Sequence, residues 1–84
     1  MGSVERVMLQ ALADSGSEMF GLDIIAACKG VVGRGTVYVR LARLQDAGLV
    51  SSRLEREKVP GETEIPRRLY AITDAGLQTL KVGP

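Results

Sequence analysis

The architecture of this chain is determined by residues 29–48, KGVVGRGTVYVRLARLQDAG. The glycines in the first seven of these residues predict a tight, irregular turn. A helix is then expected over residues 36–47, because apolar residues recur at positions i, i+4 and i+7 on one face: Val37, Leu41 and Leu44. Gly48 is the residue type expected just beyond the end of that helix.

The sequence around this segment predicts a helix before the turn and a β-hairpin after the second helix. Apolar spacing and turn signals predict helices over 3–13 and 22–28, a short strand at 19–20, strands over 50–57 and 67–73, and a helix from 73 or 74 to 81. Two helices joined by a short turn are typical of a helix-turn-helix. We therefore predict an α+β winged helix-turn-helix, with a three-helix core, a hairpin wing of two or three strands and a short C-terminal helix.

Length and composition restrict the class of protein. The 84 residues are expected to form a single domain over residues 1–84. No apolar run approaches the roughly 20 residues of a transmembrane helix, and no signal peptide is visible. With no histidine and the single cysteine Cys28, we expect no metal site, no intrachain disulfide and a cytoplasmic location.

The sequence offers little for catalysis or for a cofactor. It contains no histidine and no nucleophile–base constellation, so we do not expect an enzyme. The glycines of residues 30–35 are not followed by the Gly-Lys-Ser/Thr sequence of a phosphate-binding loop, which leaves the turn as the better interpretation. Cys28 is expected to face the core as a small apolar residue.

The charge is unevenly distributed although the formal net charge is only +1. No acidic residue occurs between Asp23 and Asp46, whereas that segment contains four basic residues: Lys29, Arg34, Arg40 and Arg43. Local positive potential attracts phosphate even when the whole chain is close to neutral.

These features predict that helix 36–47 reads the major groove of double-stranded DNA. Arginine can donate two hydrogen bonds to guanine, and valine can contact a thymine methyl group. Small residues at the helix start allow a close approach to phosphate. Tyr38 has two open interpretations, as a phosphate donor or as a ring packed at the helix edge. The predicted contacts of this helix are Arg34, Gly35, Thr36, Tyr38, Val39, Arg40 and Arg43.

The hairpin over residues 50–73 is predicted to act as the wing. Its candidate contacts to the DNA backbone or minor groove are Lys58, Arg67 and Arg68. Acidic residues at 55, 57, 62 and 64 favour an alternative in which the hairpin is solvated and carries cross-strand ion pairs.

The chain resembles the PadR-type winged-helix transcriptional regulators and, more loosely, the MarR-like regulators. The resemblance covers about residues 4–81 and rests on these segments: GLDI at 21–24, GTVY at 35–38, DAGLV at 46–50 and RRLYAITDAG at 67–76. It implies that the third helix enters the major groove with Thr36, Tyr38, Arg40 and Arg43 facing DNA. It also implies a homodimer that binds a palindromic operator, usually as a repressor.

Two questions stay open at this level. Family members commonly dimerise through further C-terminal helices, whereas this chain ends shortly after Lys81, so the first helix or the apolar end at Val82 would have to substitute. The near-neutral charge and acid-rich hairpin also fit a winged-helix module that binds another protein and no nucleic acid. No residue indicates a small-molecule effector.

Overall fold

A computed structural model describes residues 2–57 and 65–82 of the chain. Its elements, in chain order, are α1 (Ser3–Ser15), β1 (Met19–Phe20), α2 (Gly21–Ala27), α3 (Arg34–Asp46), β2 (Val50–Glu57), β3 (Ile65–Ile72) and α4 (Asp74–Val82). This order confirms the predicted winged helix-turn-helix, in which α2 and α3 form the helix pair and β2 and β3 the hairpin. None of the helices in the described ranges is long and apolar enough to cross a membrane.

Helix α3 begins two residues earlier than predicted. Gly33 occupies the position before its first turn, and its carbonyl accepts hydrogen bonds from the N–H groups of Thr36 and Val37 at 3.2 and 2.9 Å. The turn that precedes it owes its shape to Lys29 and Gly30, whose φ angles of 52° and 87° are left-handed. A left-handed lysine is strained, which is consistent with a turn that the flanking helices hold in place.

The three strands form an antiparallel sheet in the order β1-β3-β2. β3 lies in the middle, with Tyr70 opposite both Met19 of β1 and Ser52 of β2. Successive side chains of a strand point to opposite faces, yet Leu69 and Tyr70 are both buried. The central strand is therefore covered on both of its faces.

The core is a single cluster to which most elements contribute. The inward stripe predicted for α3 is confirmed, because Val37, Leu41 and Leu44 are all buried. They share the cluster with residues of the other elements: Met8, Leu9, Leu12, Ile24, Cys28, Val32, Val50 and Tyr70. Burying one such aliphatic side chain contributes about 1.5–3 kcal/mol. Cys28 faces this core as predicted, and burial raises the pKa of its thiol, which disfavours a reactive thiolate.

Thr73 fixes the start of α4. Its Oγ1 accepts a hydrogen bond from the Gly76 N–H at 3.1 Å, as an N-cap does, and donates one to the Gly48 carbonyl at 2.7 Å. The cap is therefore Thr73, and Asp74 is the first residue of the helix. The same side chain therefore starts α4 and anchors it beside the C-terminal end of α3.

Gly76 is required where α4 crosses the start of the sheet. It is buried, and a Cβ there would collide with the Leu49 carbonyl oxygen and lie 2.6 Å from Cγ1 of Ile72. We expect Gly76→Ala to lower the free energy of unfolding by about 1–3 kcal/mol through overpacking. Urea denaturation monitored by circular dichroism measures the change.

Gly35→Ala is the matched control, since Gly35 is also helical but nothing lies within 4 Å of its added Cβ. It should leave stability unchanged or raise it by up to about 1 kcal/mol. Equal stability of Gly76→Ala and the unsubstituted protein would contradict the close approach.

Candidate functional site

The outer face of α3 is open to solvent. Thr36, Val39 and Arg43 are all exposed and follow one another at helical spacing, turned away from the buried stripe. Val39 keeps 54% of its surface accessible, so an apolar side chain stands open on this face. Arg34 and Gly35 are exposed at the N-terminal end of the same helix. Tyr38 is exposed as well, so six of the seven predicted contacts are accessible on one element.

Arg40 is the exception: although the segment around it contains no acid, its guanidinium is paired with a carboxylate of another helix and does not lie on the open outer face. Its Nη1 lies 3.1 Å from Oε1 of Glu5 on α1, and the two side chains are only 31% and 14% exposed. The cause is its position on the helix, three residues after Val37 and four before Leu44, both of which are buried. Arg40 thus lies at the edge of the buried stripe, where it meets α1.

Glu5 depends on this partner. Its second oxygen, Oε2, is buried and accepts no hydrogen bond from any residue of the described chain. A carboxylate that is mostly removed from water is costly unless a charge compensates it, and Arg40 supplies that charge. The next residue, Arg6, donates from Nη2 to the Leu80 carbonyl of α4 at 2.9 Å. The first turns of α1 therefore tie α3 and α4 to the same helix.

Tyr38 lies at the other edge of α3 and is half exposed. Its ring rests against the backbone of Gly21, so closely that a Cβ on Gly21 would lie 2.6 Å from the ring carbon Cε1 and 2.7 Å from the hydroxyl oxygen. The structure thus shows the Tyr38 ring packed at the helix edge, which is one of the two open interpretations. The exposed half of the residue faces solvent beside the hairpin.

Arg67 and Arg68, the two candidate contacts of the hairpin that the structure describes, have different partners. The Arg68 Nη1 donates to the Ser52 hydroxyl at 2.9 Å, and that hydroxyl donates to Oε1 of Gln45 at 2.8 Å. The Arg67 guanidinium carbon stands 3.8 Å from the centre of the Phe20 ring, a cation–π distance. Lys58, the third candidate, lies outside the described residues.

The ion pair of the sheet joins the hairpin to a residue outside it. Arg53 of β2 donates two hydrogen bonds to Glu18, at 2.7 and 2.8 Å. These bonds hold the pKa of the Glu18 carboxyl below its ordinary value. The alternative of cross-strand pairing within the hairpin therefore does not describe Arg53, whereas Glu55 does lie directly opposite Arg67 in the register.

A cleft separates α3 from the hairpin. Its volume is about 260 Å³, and its lining residues are Phe20, Gly21, Leu22, Tyr38, Pro66, Arg67 and Arg68. Tyr38 of α3 and the two arginines of β3, Arg67 and Arg68, thus line the same concave surface. Hydroxyl and guanidinium groups are donors that suit an anion.

Several residues that matter for this part of the structure belong to no recognisable sequence pattern. Glu5 and Ser52 act through partners distant in the chain or on another element, and neither belongs to a motif. Gly21 belongs to the GLDI segment at 21–24, whereas its function as the support of the Tyr38 ring follows from the fold.

A helix-turn-helix flanked by a β-hairpin, with an exposed second helix, defines the winged-helix class of proteins. Residues 8–82 match the family model described as the transcriptional regulator PadR-like family. The chain therefore belongs to the PadR-like family, which is one of transcriptional regulators and not of enzymes. No curated protein matches the sequence significantly.

Solved structures of PadR-type proteins are similar to this one. The structure of Bacillus subtilis PadR in complex with operator DNA superposes with a TM-score of 0.82 at 24% identity, covering 98% of this chain and 46% of that chain. A PadR family regulator from Clostridium difficile gives 0.75 at 21% identity, covering 96% and 82%. A PadR-like regulator from Bacillus cereus gives 0.70 at 26% identity, covering 93% and 74%. The winged-helix fold is thus shared over nearly the whole chain.

The contrast between Arg40 and Arg43 is measurable. We expect Arg40→Gln to lower the free energy of unfolding by about 1–3 kcal/mol, because it leaves the buried side of Glu5 without a compensating charge. Arg43→Gln removes the same charge from the exposed face and should change stability by less than about 0.5 kcal/mol. Chemical denaturation of both variants tests this difference. Equal effects would show that the Glu5–Arg40 pair does not stabilise the fold.

Proposed function

We propose that this protein binds double-stranded DNA sequence-specifically, with α3 in the major groove and the β2–β3 hairpin as a wing, and that it represses transcription. The observation that carries the proposal is the exposed face of α3 formed by Thr36, Val39 and Arg43. Residues 24–45 contain no acid, and Glu5, the acid nearest in space to Arg40, is engaged by it. A face of this kind attracts phosphate instead of repelling it.

The chemistry of that face suits base edges. The major groove is about 12 Å wide and admits an α-helix. Arg43 can donate two hydrogen bonds to guanine O6 and N7, and Val39 can cover a thymine methyl group. Thr36, in the first turn, is short enough to let the helix approach the groove floor. Arg34 and Gly35 sit at the helix start, where the N–H groups favour phosphate.

The cleft between α3 and β3 is the proposed site of a backbone phosphate. Tyr38, Arg67 and Arg68 line it with donors from two elements, so that a phosphate bound there would fix the angle between helix and hairpin. Arg40 has no direct contact in this proposal. It orients α3 through Glu5, and Lys58 remains a predicted wing contact.

We further propose that the protein acts as a homodimer on a palindromic operator. Three apolar side chains of α1 and α4 are exposed, namely Val7, Leu77 and Val82 at 38%, 38% and 83%. They lie on the two helices that Arg6 links, away from the cleft. Exposed apolar side chains on two helices that are in contact are a surface that a second subunit could cover.

Selection of bound sequences from random duplexes tests the function. We expect one enriched motif with two half-sites related by a twofold axis and about one helical turn apart, as a symmetric dimer requires. Arg43→Ala should weaken binding by about 1–3 kcal/mol and relax the preference at one base pair of each half-site. Titrations of the selected duplex at two salt concentrations measure both effects.

The control variant is Ser17→Ala, at an exposed residue between α1 and β1 that belongs neither to α3 nor to the hairpin. It should leave the affinity within about twofold, since it removes no charge and no predicted DNA contact. The absence of both a preferred sequence and a salt-dependent affinity would remove the proposal and favour a protein partner for this winged helix.

A further inference from the structure

Two consecutive hydrogen bonds join α3 to the hairpin. It runs from Arg68 on β3 to Ser52 on β2 at 2.9 Å, and from Ser52 to Gln45 near the end of α3 at 2.8 Å. Three elements therefore meet at a single hydroxyl group. None of the three side chains belongs to the buried core.

The chemistry of the groups fixes the direction of this chain. A guanidinium can only donate hydrogen bonds, so the Ser52 oxygen must accept from Arg68. The hydroxyl has one proton, and it goes to the Oε1 carbonyl oxygen of Gln45. Loss of either outer partner leaves the hydroxyl able to rotate, so the orientation of Ser52 depends on both.

The sheet register shows what the bond does to Arg68. Leu54 is the residue directly opposite Arg68, whereas Ser52 is opposite Tyr70 and lies on the same face two positions away. The guanidinium therefore reaches diagonally across the hairpin to β2, where Gln45 near the end of α3 meets the same hydroxyl. Arg68 is also one of the residues that line the cleft with Tyr38.

We propose that Ser52, held by Gln45, is a positioning residue that presents the Arg68 guanidinium to a DNA phosphate in the cleft. The inference rests on the proposed DNA binding and deepens it by explaining how the hairpin is aligned with α3. Arginine has five N–H donors, and the bond to Ser52 occupies one of them. The remaining donors stay available while the side chain loses much of its freedom.

The size of the effect follows from that loss of freedom. Immobilising a long side chain on binding costs an amount equivalent to about a two- to tenfold change in Kd. Ser52→Ala leaves Arg68 in place but unrestrained, so we expect Kd for the selected duplex to rise by about two- to tenfold. Ser52→Thr keeps the hydroxyl and should restore most of the affinity.

Ser51→Ala is the matched control. Ser51 is the preceding residue on the same strand, is exposed and points to the opposite face of the sheet. It should leave the Kd unchanged. Thermal unfolding of the variants is measured alongside, and Ser52→Ala is expected to melt close to the unsubstituted protein.

A double-mutant cycle with Arg68→Ala separates positioning from a general structural effect. If Ser52 acts through Arg68, Ser52→Ala should not weaken binding further once Arg68 is absent. An equal loss in both backgrounds would overturn the inference, as would an unchanged Kd of Ser52→Ala. Failure of the unsubstituted protein to bind any selected duplex would instead remove the proposed function itself, so the two failures are distinguishable.

Discussion

The burial of Val37, Leu41 and Leu44 in the central cluster fixes the rotation of α3 about its own axis. Once that rotation is set, the exposure of every other residue on the helix follows from its angular position. Thr36, Val39 and Arg43 are turned outward, while Tyr38 and Arg40 lie at the two edges and meet neighbouring elements. The helix therefore presents a narrow exposed face bordered by two side chains with structural contacts.

Ion pairs, and not the net charge, determine which basic side chains of this protein remain available to an anion. Glu5 and Glu18 pair with Arg40 and Arg53, one in a mostly buried setting and the other in an exposed one. Exposed pairs contribute little to stability, so the Arg53 pair matters chiefly because it neutralises a hairpin charge. Arg43 and Arg68 remain accessible on the two elements that border the cleft. A net charge of +1 is thus compatible with a locally basic surface.

Local patterns were sufficient to predict the elements and their order. The apolar stripe of α3 and the glycine after it are each set by neighbours a few residues apart, and these predictions are confirmed. Contacts between distant residues could not be read in this way. The segment around Arg40 contains no acid, so its pairing with Glu5 of α1 could not be predicted from neighbouring residues. The hydrogen bond between Ser52 and Gln45 belongs to no sequence motif.

The DNA-facing surface of the protein can be located most directly by NMR. Amide chemical shifts of the isotope-labelled protein are recorded with and without the duplex that selection enriches. The largest shifts should fall in the N-terminal half of α3 and in β3 near Arg68, with the amides around Glu5 in α1 changing less. Shifts confined to α1 and α4, with α3 unaffected, would contradict an exposed α3 face as the DNA-binding surface.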